Sequence, residues 1–192
     1  MFEKRLCLSY NHSQAMNISV IIKSRLPDLT AITAIQTLTN IMGYKEVLNR
    51  LESSVLFEIA TDETEEKAVA LIGDAIEKTT LFCNPNKETA VILNRNRDLS
   101  KVFSVSRGTG LVARVSDLEG VEDLAPILWR QWGYREIKSV IKYPIWFIEL
   151  NLNDREKAIQ LAEEILITES RENGLLINPH YQRAEIISVF SA

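Results

Sequence analysis

Apolar residues in this chain alternate over a short stretch, then recur every third or fourth position, and the same succession is met twice. Ile18, Val20 and Ile22 fall on one side of residues 17–23, as in a half-buried strand, and residues 111–115 form the counterpart. Helical spacing follows: Ile32, Ile35, Leu38 and Ile41 after a Pro27-Asp28 start signal, and Val121, Leu124, Leu128 and Trp132 after Ser116-Asp117. Gly43 and Gly133 close these helices, where a left-handed residue is needed. Residues 46–51 with 55–60, and 136–142 with 145–151, read as two tight hairpins. Asp62-x-x-Glu65 and Asn153-x-x-Glu156 have capping-box spacing and open second helices. Their apolar stripes are Ala68, Leu71, Ile72, Ala75, Ile76 and Ala158, Leu161, Ala162, Ile165, Leu166. Residues 88–93 and 183–189 are the closing strands.

The two successions are copies. Gly43-Tyr44-Lys45-Glu46-Val47 lies over Gly133-Tyr134-Arg135-Glu136-Ile137 at an offset of 90. Held without a gap, that offset brings Val55 over Ile145, Phe57 over Phe147 and Glu66-Lys67-Ala68-Val69 over Glu156-Lys157-Ala158-Ile159. Cys83-Asn84-Pro85 then meets Ile177-Asn178-Pro179 at an offset of 94, placing four extra residues of the second copy within 169–174. Each copy reads β-α-β-β-α-β, the ferredoxin-like pattern of an α+β fold with helices on one face of an antiparallel sheet. The division is an N-terminal extension 1–16, a first module 17–93, a linker 94–110 and a second module 111–192. Ile21, Leu56, Trp146 and Ile148 interrupt the polar positions of the helix-free faces, so the two sheets are expected to lie apposed, as an intramolecular pseudo-dimer.

Composition narrows the chemistry. With 192 residues, 46% hydrophobic and 25% charged, the chain can bury roughly 70% of its unfolded surface without staples. No apolar run reaches membrane-spanning length, and the apolar patch Leu6-Cys7-Leu8 is too weak for a secretory segment, so a cytoplasmic protein is expected. The net charge of −4 offers phosphate backbones no basic field, which argues against nucleic acid. Cys7 and Cys83 lack flanking cations and read as small buried hydrophobes. His12 lies in the N-terminal extension, and His180 sits beside a turn, where it is solvated or backbone-bonded. Glu63, Glu65, Glu66, Glu163 and Glu164 fall on solvated helix faces, and Trp129 and Trp132 read as a core contact. The connector holds Arg95, Arg97, Lys101 and Arg107. Within it Ser106-Arg107-Gly108-Thr109-Gly110 could cradle an anion with backbone N–H groups, but a strand rather than a helix follows, which favours a plain linker.

The segments Gly43-Tyr44-Lys45-Glu46-Val47, Val55-Leu56-Phe57-Glu58-Ile59 and Cys83-Asn84-Pro85, with Gly133-Tyr134-Arg135-Glu136-Ile137, Phe147-Ile148-Glu149-Leu150 and Leu175-Leu176-Ile177-Asn178-Pro179, give each copy a likeness to a known family. Each resembles PurS, the small subunit of the multi-subunit phosphoribosylformylglycinamidine synthase of purine biosynthesis, over residues 17–93 and 111–190. The resemblance implies a covalent pair of PurS-like modules that bridges a glutaminase subunit and an ATP-using synthetase subunit, with no catalytic residue, cofactor or metal of its own. It places candidate partner contacts at Arg50 and at the turns Asn84-Pro85 and Asn178-Pro179. The chain departs from the family pattern at Ser24-Arg25-Leu26-Pro27-Asp28, and at Asn49-Arg50-Leu51-Glu52-Ser53-Ser54 and Val140-Ile141-Lys142-Tyr143-Pro144, which lack the family's turn glycine. A regulatory module binding a small metabolite between paired modules, as ACT-like folds do, is the alternative. An acylphosphatase-like hydrolase would rest on Arg25 alone.

Overall fold

The computed structural model describes residues 16–93, 98–168 and 174–192. Its strands are β1 (Met16–Ser24), β2 (Leu48–Thr61), β3 (Glu88–Leu93), β4 (Thr109–Asp117), β5 (Ile137–Leu150) and β6 (Gln182–Ser191). The helices are α1 (Leu29–Asn40), α2 (Glu65–Lys78), α3 (Ala125–Trp132) and α4 (Arg155–Leu166). All six strands join in one antiparallel sheet of order β3-β1-β2-β5-β4-β6. The fold is therefore α+β. The expected pair of apposed sheets is replaced by two halves meeting edge to edge, through β2 and β5.

The expected hairpins are also absent. β2 and β5 each run straight for 14 residues through the positions assigned to turns. They pair with each other along nearly their full length. A two-residue hairpin needs φ > 0 at its centre, and Ser53-Ser54 and Tyr143-Pro144 supply no residue that adopts it cheaply. Only the C-terminal part of each strand pairs on its other side, β2 with β1 from Val55 onward and β5 with β4 from Ile145 onward.

Two lobes result, each built from both halves of the chain. Under α2 and α3, Ile18, Val20 and Ile22 of β1 and Phe57 and Ile59 of β2 pack with Ile137 and Val140 of β5. Under α1 and α4, Leu111, Ala113 and Val115 of β4 and Trp146, Ile148 and Leu150 of β5 pack with Leu48 and Leu51 of β2. Thus α1 lies against the first stretch of β2 and shares a core with the second half's strands, and α3 lies against β5 and shares a core with the first half's. Two matching hydrogen bonds tie the exchange: Tyr44 Oη donates to Glu164 at 2.6 Å and Tyr134 Oη to Asp74 at 2.7 Å. Burial, reinforced by the acceptor carboxylate, pushes each phenol up to about 12.

The copies are not in uninterrupted register. The equal lengths and equivalent bulges of β2 and β5, at Asn49 and Lys138, set Leu48 over Ile137, an offset of 89 rather than 90. A slip of one residue exchanges the faces of a strand. Phe57 accordingly faces the helices while Phe147 faces away, and the counterpart of Phe57 is Trp146. Ile21 and Leu56 do lie on the helix-free face, whereas Trp146 and Ile148 are on the helix side.

That helix-free face is covered by the connector. Leu99 and Phe103, from a short 3-10 turn and the bend after it, are buried against Ile21, Leu56, Val112, Ile145 and Phe147. Phe103 stacks on Phe147 at 5.0 Å, and Phe147 in turn on Phe190 of β6 at 6.2 Å. Arg95 and Arg97 lie outside the described residues, as do Cys7 and His12. Cys83 is buried in the first lobe, as expected.

The helix starts show how the split sheet is sealed. Asp28 caps α1 through Oδ1, accepting from Thr30 and Ala31 N–H, while Oδ2 accepts the N–H of Ser53 at 3.1 Å, on the stretch of β2 that β1 leaves unpaired. Asp123 does the same for β5, accepting from Ala125 and Val140 N–H at 2.9 and 2.8 Å. Each carboxylate thus satisfies a helix end and a strand edge together. Replacing Asp28 by alanine is expected to lower unfolding free energy by about 2 kcal/mol, read from the urea midpoint at unchanged m-value. The second-copy helix begins at Ala125, after the predicted Val121, and α2 and α4 are preceded by Thr64 and Asp154 as N-caps, one or two residues past the predicted boxes.

Candidate functional site

α1 buries Ala31, Ala34 and Leu38, a stripe turned from the predicted Ile32-Ile35-Leu38-Ile41. Leu29, Ile32 and Ile41 consequently remain outside, Leu29 at 73% exposure, with Leu26 beside them in the preceding loop. Burying such side chains is worth roughly 1.5–3 kcal/mol each, so apolar residues left in water mark a surface with something to gain from contact. Beside Leu29, Leu175 and Leu176 face α1 across a hollow of about 540 Å³ floored by Trp146 and edged by Thr30, Thr33 and Thr37.

A second hollow, of about 200 Å³, opens on the same face of β5 two residues away, around Lys142 and Pro144. Val115, Asp117, Gly120, Val121 and Leu124 complete its wall. Leu118 and Val121 add exposed apolar surface on that side. Together the hollows flank the middle of the β2–β5 seam, where the helix layer parts between the lobes. The first hollow is mainly apolar with hydroxyls at its rim, and the second mixes apolar residues with Ser116, Asp117, Glu122 and Lys142, a chemistry suited to holding a protein surface.

The sequence-derived contact residues are dispersed. Arg50 lies on the connector side: its guanidinium pairs with Glu52, donates to Ser104 O at 3.2 Å and sits 5.3 Å above the Phe147 ring. Asn84-Pro85 and Asn178-Pro179 form two equivalent exposed turns at opposite edges of the sheet, leading into β3 and β6. In each the Asn Oδ1 accepts the N–H two residues on, Asn86 or His180, at 3.0 Å. His180 is exposed beside its turn, in keeping with the solvated reading.

The segment Ser106-Arg107-Gly108 does cradle an anion, and the anion is Glu149 of β5. Its Oε1 accepts from Ser106 N–H at 3.0 Å, Arg107 N–H at 3.2 Å and the Ser106 hydroxyl. Burial alone would raise this carboxyl; the three donors and the Arg50 charge outweigh it and hold Glu149 below the ordinary glutamate value. Gly108, at φ +72°, is required where the loop touches β5, since a Cβ there would lie 2.2 Å from Leu150 O. The nest is a structural clasp, already filled.

Trp129 and Trp132 are each 37% exposed, so the predicted core contact is not formed. Trp129 instead donates its indole N–H to Ile137 O. Arg25 donates Nε to Thr89 Oγ1 at 2.8 Å. Among the described residues no three or more His, Cys, Asp and Glu side chains gather as a metal site, and no helix is long and apolar enough to cross a membrane. Of the seam residues, the sequence pattern does not single out Leu29 and Thr33, sets Trp146 on the helix-free face and gives Leu175 only as part of the closing turn. The available signal was the surplus of apolar residues in 26–41, more than one helix face can bury. No family model, curated protein or solved structure matches the chain.

Proposed function

We propose that the chain is an assembly subunit of a glutamine-dependent phosphoribosylformylglycinamidine synthase of purine biosynthesis, acting in the cytoplasm to bridge the glutaminase and the ATP-using synthetase subunits. On this reading its two halves are tandem PurS-like, ferredoxin-like modules that have exchanged their first helix and the strand after it. The observation that supports it best is the pair of lobes. Within the first, the order β3-β1-β2-β5 is that of a split βαβ sheet with the neighbour's strand in the outer position, and the second repeats it with β6-β4-β5-β2.

The apolar hollows at the seam are then the docking surface. Leu29 and Trp146 supply anchors, and the threonines of α1 supply the polar rim. The test is affinity capture of the tagged full-length chain with the two enzyme subunits, in the presence of glutamine and nucleotide. Both should be retained, and Leu29→Asp should release at least one. Retention of neither subunit by the wild-type chain overturns the proposal. Thermal stabilisation by a free amino acid or nucleotide, about 2.7 kcal/mol at 100 times its Kd, would instead favour the ACT-like reading.

A further inference from the structure

β6 is an outermost strand of the sheet, ten residues long, and among the described residues no strand pairs with its outer side. Such an edge presents a row of backbone donors and acceptors, and proteins keep it from pairing indiscriminately by charge, shortness or bulges. The other edge, β3, is only six residues long. β6 carries one charge of each sign, Arg183 and Glu185, on its connector-side face, and its register against β4 breaks at Ile187. We propose that this edge pairs with the same edge of a second copy of the chain, antiparallel about a twofold axis through Ala184, joining two six-stranded sheets.

The ladder fixes that register. Leu118 N–H donates to Tyr181 O at 2.8 Å, so the Tyr181 carbonyl and the backbone groups of Arg183 and Glu185 turn inward to β4, and those of Ala184 and Ile186 turn outward, while Gln182 N–H is held by Asn178 O at 2.8 Å. An antiparallel partner must therefore match outward residues with outward residues. Centring on Ala184 sets Arg183 against Glu185 of the second copy and Glu185 against its Arg183, two opposite-charge pairs from one sequence. It also lays Tyr181, 69% exposed, over Ile187 of the second copy, on the face where Ile187 already packs with the connector cluster. Beyond Ile187 the bulge ends the match, which limits the pairing to one register.

The helix side supports the same occupant. Between α4 and β6 a groove of about 510 Å³ is left open, with Ile159, Leu166, Ile186 and Val189 among its apolar lining and Arg155, Glu163 and Glu185 among its charged lining. It runs beside the pairing edge, so a twofold sets the two grooves next to each other and removes apolar surface from water on both copies. This inference is independent of the amidotransferase reading, since it uses a different edge of the molecule from the seam.

The experiment is light scattering of the full-length chain over a concentration series, with two charge reversals. The wild type should dimerise, and more weakly as salt rises. Arg183→Glu alone and Glu185→Arg alone should each raise the dimer dissociation constant about tenfold or more, because each sets like charges opposite one another twice. An equimolar mixture of the two variants should restore dimers as heterodimers, the two chains now carrying opposite charges. Glu185 also pairs with Arg114 and Arg183 donates to Ser116 within the chain, so misfolding of the separate variants is excluded by cooperative thermal melts rather than by unchanged ones. A monomeric wild type, variants that dimerise as well as wild type, or a mixture that fails to associate overturns the proposal. A wild type that stays monomeric but captures an extended peptide at β6 would assign the edge to a foreign strand and equally overturn it.

Discussion

Replacing Phe103 by alanine is expected to lower the unfolding free energy by about 3–5 kcal/mol, the range for a large aromatic removed from a packed core. The residue lies in the stretch that joins the two halves, where a spacer would tolerate the change within about 0.5 kcal/mol. It is 0% exposed, stacked on Phe147, with the Lys23 ammonium 4.6 Å from its ring centroid. Removing it empties a space bounded by β1, β2, β4 and β5, which the sheet cannot collapse to fill because its strands are held in register. Chemical denaturation of the variant is the measurement. A loss below 1 kcal/mol would show that the connector is a tether and that the helix-free face is stable uncovered.

The Glu149 clasp should be nearly as costly to break. Glu149→Ala is expected to lose about 3 kcal/mol, since it removes the buried carboxylate that holds the connector through charge-assisted bonds from Ser106 and Arg107, worth about 1.5–3 kcal/mol each, and deprives Arg50 of a nearby countercharge. The pH dependence gives the signature. The folded carboxyl titrates below its ordinary value, so between the two values the unfolded chain binds a proton that the folded chain refuses. Its contribution is therefore complete above the ordinary glutamate range and fades as the pH falls through the folded value. Glu149→Gln should flatten that acid limb while keeping the side chain's size. An acid limb unchanged in Glu149→Gln would place the charge sensitivity elsewhere.

Much of the secondary structure was legible in the sequence because its signals are local. Asp28 before α1, the glycine ending α3 and the Asn-Pro turns before β3 and β6 announce themselves within four residues. The expected hairpins rest on the short spacing between two strand-like runs, which a single long strand produces equally well. The missing glycine at 52–54 and 142–144 was visible and pointed to a straight strand. The register was misread because Leu56-Phe57 and Trp146-Phe147 both put two large residues side by side, so either offset matches apolar with apolar. Only the alternation of faces separates the two, and that depends on what covers each face. The seam hollows and the buried connector depend on contacts between residues tens of positions apart, which no local period encodes. Glu149 is the clearest case, a charged residue in an apolar strand whose donors lie 42 and 43 positions upstream.

The exchange of α1 and α3 between lobes bears on how the chain is made. A nascent first half leaves the ribosome with Phe57, Ile59 and Ile72 assembled around a gap that only Leu128, Ile137 and Val140 can fill. Neither lobe is closed until β5 has emerged. Until then α1 can rest only on β2, and with the remainder of its core still missing its apolar side meets water and any chaperone within reach.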